Sequence, residues 1–225
     1  MFFLISQSKR SLSIELDEYF GRLGESPCTK GAFSKARYRV LWLFFRDWHR
    51  HVVDLVYADP RSLCMWKGYF LKAVDGSSIY LFKDKELEKE FGSQSNQHMR
   101  IPMARAGIEL DVLNGYCTQA QLQPYSEGEF VFAEAFLENS SPKDLRIYDR
   151  YFASFELIFK HLQKKVHFVM RCKIEFNLVV KKFVASGKKQ SVVEFLIPKN
   201  LPPALQQQGY SVNHATILRV RLVRV

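Results

Sequence analysis

Two β-prone runs in this chain stop on an aspartate, and that pairing constrains the fold more than any other feature. The first, Tyr69-Phe70-Leu71-Lys72-Ala73-Val74, ends at Asp75, and Gly76 leads into a further β-prone run at 78–82. The second, Leu145-Arg146-Ile147-Tyr148, ends at Asp149. A strand end of this kind holds a carboxylate rigidly at the rim of a sheet, open to solvent or to a metal ion. The first site also has a plain alternative, because Asp-Gly between apolar runs is the commonest short hairpin signal.

The intervening sequence determines whether the two runs can meet. Residues 83–91 read as a charged helical turn stopped by Gly92, and 93–100 as a polar loop. Residues 104–113 read as a strand closed by an Asn114-Gly115 hairpin turn, with 117–125 as its returning partner. Residues 127–137 carry helical periodicity that ends at Asn139-Ser140-Ser141-Pro142, and 152–164 are helical with Phe155, Ile158, Phe159 and Leu162 on one face. The order is strand, hairpin, helix, strand, helix. It allows the first and fourth strands to lie side by side in a mixed sheet, with Asp75 and Asp149 at neighbouring strand ends.

On either side of this centre the texture changes. Residues 1–66 read as helical: Leu12, Ile14, Leu16, Tyr19, Phe20 and Leu23 recur near helical spacing, and Gly24, Pro27 and Gly31 interrupt them. A second helix is expected from near Lys30 to about His51, and Asp59-Pro60 ends whatever helix carries 52–56. Its basic residues (Lys35, Arg37, Arg39, Arg46, Arg50) either dock on DNA or cover a sheet. His49 and His51, two apart on a helix, point to different faces and make no metal pair. Beyond Lys165 the sequence is β-prone at 166–171, 179–184, 191–197 and 216–225. There Arg219, Arg221 and Arg224 interleave with apolar residues, as in a two-faced sheet with one basic face. The last run stops without turn, cap or polar tail, so the sequence is expected to end before its fold does.

Charge points to a partner. The net charge of +10 resides entirely in residues 144–225, which hold 15 Lys and Arg against 5 Asp and Glu. Such a region favours a polyanion, since each neutralised phosphate releases counterions. The candidate DNA contacts are Arg150, Arg171, Lys173, Lys181, Lys182, Lys188 and Lys189. The 47% hydrophobic content suffices for a real core. Four scattered cysteines without a Cys-x-x-Cys pair, and an apolar start that stops at Ser6, indicate a cytoplasmic protein with no membrane partner. Serine hydrolase, phosphate-loop and zinc motifs are absent from the sequence.

These segments resemble the DDE transposases of bacterial insertion sequences, in particular the insertion-sequence-four group. Val74-Asp75-Gly76-Ser77 resembles the family's first-aspartate strand, and Glu86-Leu87-x-x-Glu90-Phe91-Gly92 the segment that follows it. Asp111-Val112-Leu113-Asn114-Gly115 and Pro124-Tyr125-Ser126-Glu127-Gly128-Glu129 are similar to the hairpin and helix start between the two aspartates. Asp149-Arg150-Tyr151-Phe152-x-Ser154-Phe155, followed by His167-Phe168-Val169-Met170-Arg171, resembles the second-aspartate region. The similarity covers about residues 30 to 225.

The resemblance implies an α+β fold in three parts. These are an N-terminal helical region (1–66), the first part of an RNase H-like mixed-sheet core (67–165) and a basic, β-rich, truncated insertion (166–225). It implies Asp75 and Asp149 as ligands of two Mg²⁺ (or Mn²⁺) ions that drive DNA cleavage and strand transfer at transposon ends. The partners would be those ends and the target DNA, and a dimer on DNA is compatible with it. Two features depart from the family. Tyr151 stands where a glycine is usual, and the helical Tyr-x2-Arg-x3-Glu-x6-Lys motif that carries the third acid is not found. Glu175 and Glu194 lie in β-prone sequence and do not replace it. The expectation is therefore a transposase portion inactive alone, with a non-enzymatic DNA-binding product that interferes with a full-length transposase as the alternative.

Overall fold

The computed structural model describes residues 10–95 and 99–224. The chain divides into two compact units, residues 1–58 and 59–225. In the first, three helices follow one another: α1 (Leu12–Arg22), α2 (Lys30–Arg37) and α3 (Trp42–Tyr57). Thr29 starts α2 by accepting the Ala32 N–H at its hydroxyl (3.2 Å). The single long helix expected from Lys30 to His51 is thus two. The backbone turns extended at Leu41 (φ −68°, ψ 139°). No glycine or proline marks that break in the sequence.

The second unit is built on a mixed sheet. Its strands are β1 (Phe70–Tyr80), β2 (Ser93–Ser95), β3 (Arg100–Asp111), β4 (Tyr116–Pro124), β5 (Asp144–Tyr148) and β6 (His167–Met170). The main path runs β4-β3-β1-β5-β6, and β2 pairs with the start of β3. Pairings β1–β3 and β3–β4 are antiparallel, whereas β1–β5 and β5–β6 are parallel. Helix α4 (Lys85–Phe91) follows β1 and is capped by Gly92 at φ 88°. Helices α5 (Phe130–Glu138) and α6 (Phe155–Lys164) flank β5 in sequence. Val74 and Tyr148 from the sheet share a core with Phe132, Ala133 and Phe136 of α5 and Leu157 of α6.

Contrary to the turn alternative, β1 does not bend at Asp75-Gly76. The strand, 11 residues in all, runs past the strand end expected at Asp75 to Tyr80, pairing Asp75 with Ile108 and Gly76 with Gly107. The glycines serve packing. A Cβ on Gly107 would lie 2.3 Å from the Phe132 ring, and one on Gly76 2.8 Å from Glu129 Cγ. The start of α5 therefore approaches the sheet as closely as it does because both positions lack side chains. The expected loop at 93–100 contains β2, and its residues 96–98 lie outside the described ones.

After β6 come α7 (Leu178–Ala185), β7 (Gln190–Leu196), α8 (Leu201–Gln207) and β8 (Ile217–Val223). The expected strand at 179–184 is helical. Asn177 caps it by accepting the Val180 N–H (2.8 Å), and Val180 and Phe183 bury one face, which outweighs the β preference of the valines. Strands β7 and β8 form a separate antiparallel pair with Arg219 and Arg221 exposed and Leu218 buried. Their inner face and α7 share a second core with Ile158 and Phe159 of α6. Among the described residues no helix is long and apolar enough to cross a membrane.

Candidate functional site

The parallel pairing of β1 with β5 decides where the aspartates lie. Its register runs from Phe70 opposite Asp144 to Val74 opposite Tyr148. Asp75 is the next residue of β1 and Asp149 the first residue after β5, so the two follow register partners on strands spaced about 4.8 Å apart. Val74 and Tyr148 are buried against the helices, so the pleat turns the following residues to the opposite face. Both aspartates are exposed. Asp75 Oδ1 accepts the Gly76 N–H (2.9 Å), and Asp149 Oδ1 accepts the Tyr151 N–H (3.1 Å), capping the short 3₁₀ turn Arg150–Phe152. No cation pairs with either carboxylate among the described residues.

Basic residues approach this point from the next strand. The Arg171 N–H, just past β6, donates to the Tyr148 carbonyl (3.3 Å), which places Arg171 beside Asp149. Arg150 and Lys173 both lie against the Tyr151 ring, at 5.6 Å and 5.2 Å from its centroid. Arg150, Arg171 and Lys173 thus all follow the C-terminal ends of β5 and β6. Lys181 and Lys182 lie exposed on α7, and Lys188 and Lys189 in the turn before β7. None of these four makes an ion pair or hydrogen bond with the aspartates among the described residues.

Beneath the site, on the helix-covered face, is a charged network that the sequence reading overlooked. Lys72 and Arg146 are in register with each other, and each lies three positions before its aspartate. Arg146 is fully buried against the Glu109 carboxylate, and its Nη2 also donates to the Phe136 carbonyl (2.7 Å). Glu109 Oε1 accepts from Thr118 Oγ1 (2.7 Å) and Gln119 Nε2 (3.1 Å). Lys72 Nζ reaches Asp111 at 3.5 Å, and burial pushes its ammonium below the ordinary lysine range. The overlooked signal was a single cation at the same place in each of two β-prone runs.

A second buried pair fixes the residue before Asp149. The Tyr148 hydroxyl and His161 Nε2 are 2.9 Å apart, and His161 Nδ1 is 3.0 Å from the Val166 carbonyl. A carbonyl only accepts, so the neutral ring donates from Nδ1 and accepts the Tyr148 proton at Nε2. Burial lowers the His161 pKa to about 4 and raises that of Tyr148 to about 12.

Exposed carboxylate pairs offer hard oxygen donors of the kind that Mg²⁺ and Mn²⁺ take. Asp75 and Asp149 are two exposed carboxylates of this kind, each accepting one backbone N–H at Oδ1. Among the described residues no group of three or more His, Cys, Asp or Glu converges. Compared with models of known families and with curated proteins, the chain matches none.

Proposed function

We propose that this chain is the DNA-processing core of a DDE-type transposase of the insertion-sequence-four group, supplying two of the three acids of the site. The observation that carries the reading is the β1–β5 register, which sets Asp75 beside Asp149 on one face of the sheet. The strand order β4-β3-β1-β5-β6, antiparallel on one side of β1 and parallel on the other, supports an RNase H-like sheet. The basic excess after residue 143 supports a DNA partner.

On this reading Asp75 and Asp149 would hold two Mg²⁺ or Mn²⁺ ions, which when bound would supply activation of the attacking oxygen and stabilisation of the leaving oxygen of a phosphodiester. The chain's own residues position the DNA. Arg150, Arg171 and Lys173 hold the backbone at the strand ends, and the rigid sheet fixes the two carboxylates relative to it. The third acid comes from outside this sequence, which lacks the motif that carries it. A second reading, a non-enzymatic DNA-binding product that interferes with a full-length transposase, draws on the basic excess after residue 143 alone.

The test is a binding and nicking assay with the purified chain. The account expects salt-sensitive binding to duplex DNA and plasmid nicking in Mg²⁺ or Mn²⁺ that is very weak or absent. Strong nicking that Asp75→Asn abolishes overturns the claim that a third acid is missing. Failure to bind DNA at low salt overturns the transposase reading and its alternative together.

A further inference from the structure

Strands β7 and β8 pair only with each other, so among the described residues each has one edge that meets no further strand. The register identifies the groups on the β8 edge. The Arg224 N–H donates to the Lys189 carbonyl (2.9 Å), which makes these two a hydrogen-bonded pair, in line with Gln190 opposite Val223. Bonded and non-bonded pairs alternate along antiparallel strands. Leu222, Val220 and Leu218 therefore bond to β7, and the N–H and C=O groups of Ile217, Arg219, Arg221 and Val223 point outward. Among the described residues these outward groups have no hydrogen-bond partner. The side chains of the same four residues are exposed, Ile217 at 51% and Val223 at 59%, and neither arginine is in an ion pair among the described residues. On the inner face Leu218 is closed off, whereas Val220 and Leu222 are only half-buried against the second core.

A sheet edge of this kind accepts an added strand, whose backbone supplies affinity and whose alternate side chains supply choice of partner. A second copy of β8 is a poor match. Its sequence, Ile-Leu-Arg-Val-Arg-Leu-Val, reads nearly the same from both ends. Antiparallel pairing about Val220 would set each Arg219 opposite the other copy's Arg221, and like charges directly opposite repel. Nucleic acid would engage the arginines but leave the apolar side chains and the backbone edge without partners. An extended segment with acids opposite Arg219 and Arg221, and apolar residues beside Val220 and Leu222, satisfies all of these groups. We propose that the free edge of β8 is a docking site for an acidic, extended segment of a protein partner, which adds to β7 and β8 as a third strand. The inference stands apart from the DNA-processing reading, since it uses neither aspartate.

The experiment titrates the whole chain into a labelled synthetic peptide in which Glu alternates with Val, and into two relatives of it. One relative is N-methylated throughout, which keeps the charge and abolishes strand pairing. The other carries Lys in place of Glu. Wild type should bind the Glu peptide at least about 10-fold more tightly than either relative. The double variant Arg219→Glu, Arg221→Glu should keep the wild-type melting temperature, because both side chains are exposed. It should lose about 10-fold in affinity for the Glu peptide and prefer the Lys peptide instead. Equal binding of the N-methylated and unmodified Glu peptides would reduce the contact to charge alone and overturn the proposal. So would a double variant that holds the Glu peptide as wild type does, or a wild type that binds no peptide at low salt. Duplex DNA bound by wild type and lost by the double variant, with no peptide binding, would assign the arginines to nucleic acid. That result overturns the docking site and leaves the DNA-processing reading standing.

Discussion

Val74 and Tyr148 are register partners on neighbouring parallel strands, and an aspartate follows each of them. That relationship brings together two carboxylates 74 residues apart in sequence and turns both away from the helices.

The close approach of α5 to the sheet rests on Gly107. Gly107→Ala would drive a methyl into the Phe132 ring, which is itself completely buried. Overpacking of this kind costs about 2 kcal/mol. Gly76→Ala meets the flexible end of Glu129 and should cost less than half as much. Urea denaturation of the two variants checks the ranking.

These glycines also show where the sequence was misleading. Asp75-Gly76 carries a turn signal, yet the strand runs through it because the glycine makes room for a helix that is distant in sequence. Asp149 is legible in the sequence, since a short β-prone run ends there and the 3₁₀ turn begins. Helix α7 is concealed by its adjacent valines, and Asn177, which caps it, is the one local cue to a helix. Lys72 and Arg146 passed as ordinary strand residues because burial of a cation is decided by the carboxylates of β3, which local pattern does not reveal.

The Arg146–Glu109 pair should behave as a buried ion pair does. Glu109→Leu leaves the guanidinium buried without its carboxylate and should destabilise the protein by about 3–5 kcal/mol. Adding Arg146→Met to that variant removes the orphaned charge and should restore much of the loss. The pair of denaturation midpoints tests this. Equal instability of the single and double variants would count against it.

His161 should make the fold acid-sensitive. Its folded pKa of about 4 lies below its ordinary value of 6.5, so the unfolded chain takes up the proton first as pH falls. Its contribution is fully present above pH 6.5 and is lost progressively as pH drops towards 4, amounting to on the order of 3 kcal/mol. In His161→Gln the decline of stability across that window should flatten. Urea midpoints measured from pH 7 to pH 4 provide the comparison.

Arg171 lies beside Asp149, whereas Lys143 sits at the opposite end of β5. Arg171→Ala should weaken DNA binding evenly across sequences and lower the slope of log affinity against log salt by about one. Lys143→Ala should leave that slope unchanged. Fluorescence anisotropy over a range of salt concentrations reads both.

The central claim is that Asp75 and Asp149 form one divalent-metal site, and Mn²⁺ binding followed by electron paramagnetic resonance tests it most directly. Wild type should take up Mn²⁺ at a site lost in Asp75→Asn and equally in Asp149→Asn, with the fold of both variants intact. Mn²⁺ uptake that survives either substitution, or a folded wild type that binds none, would contradict it.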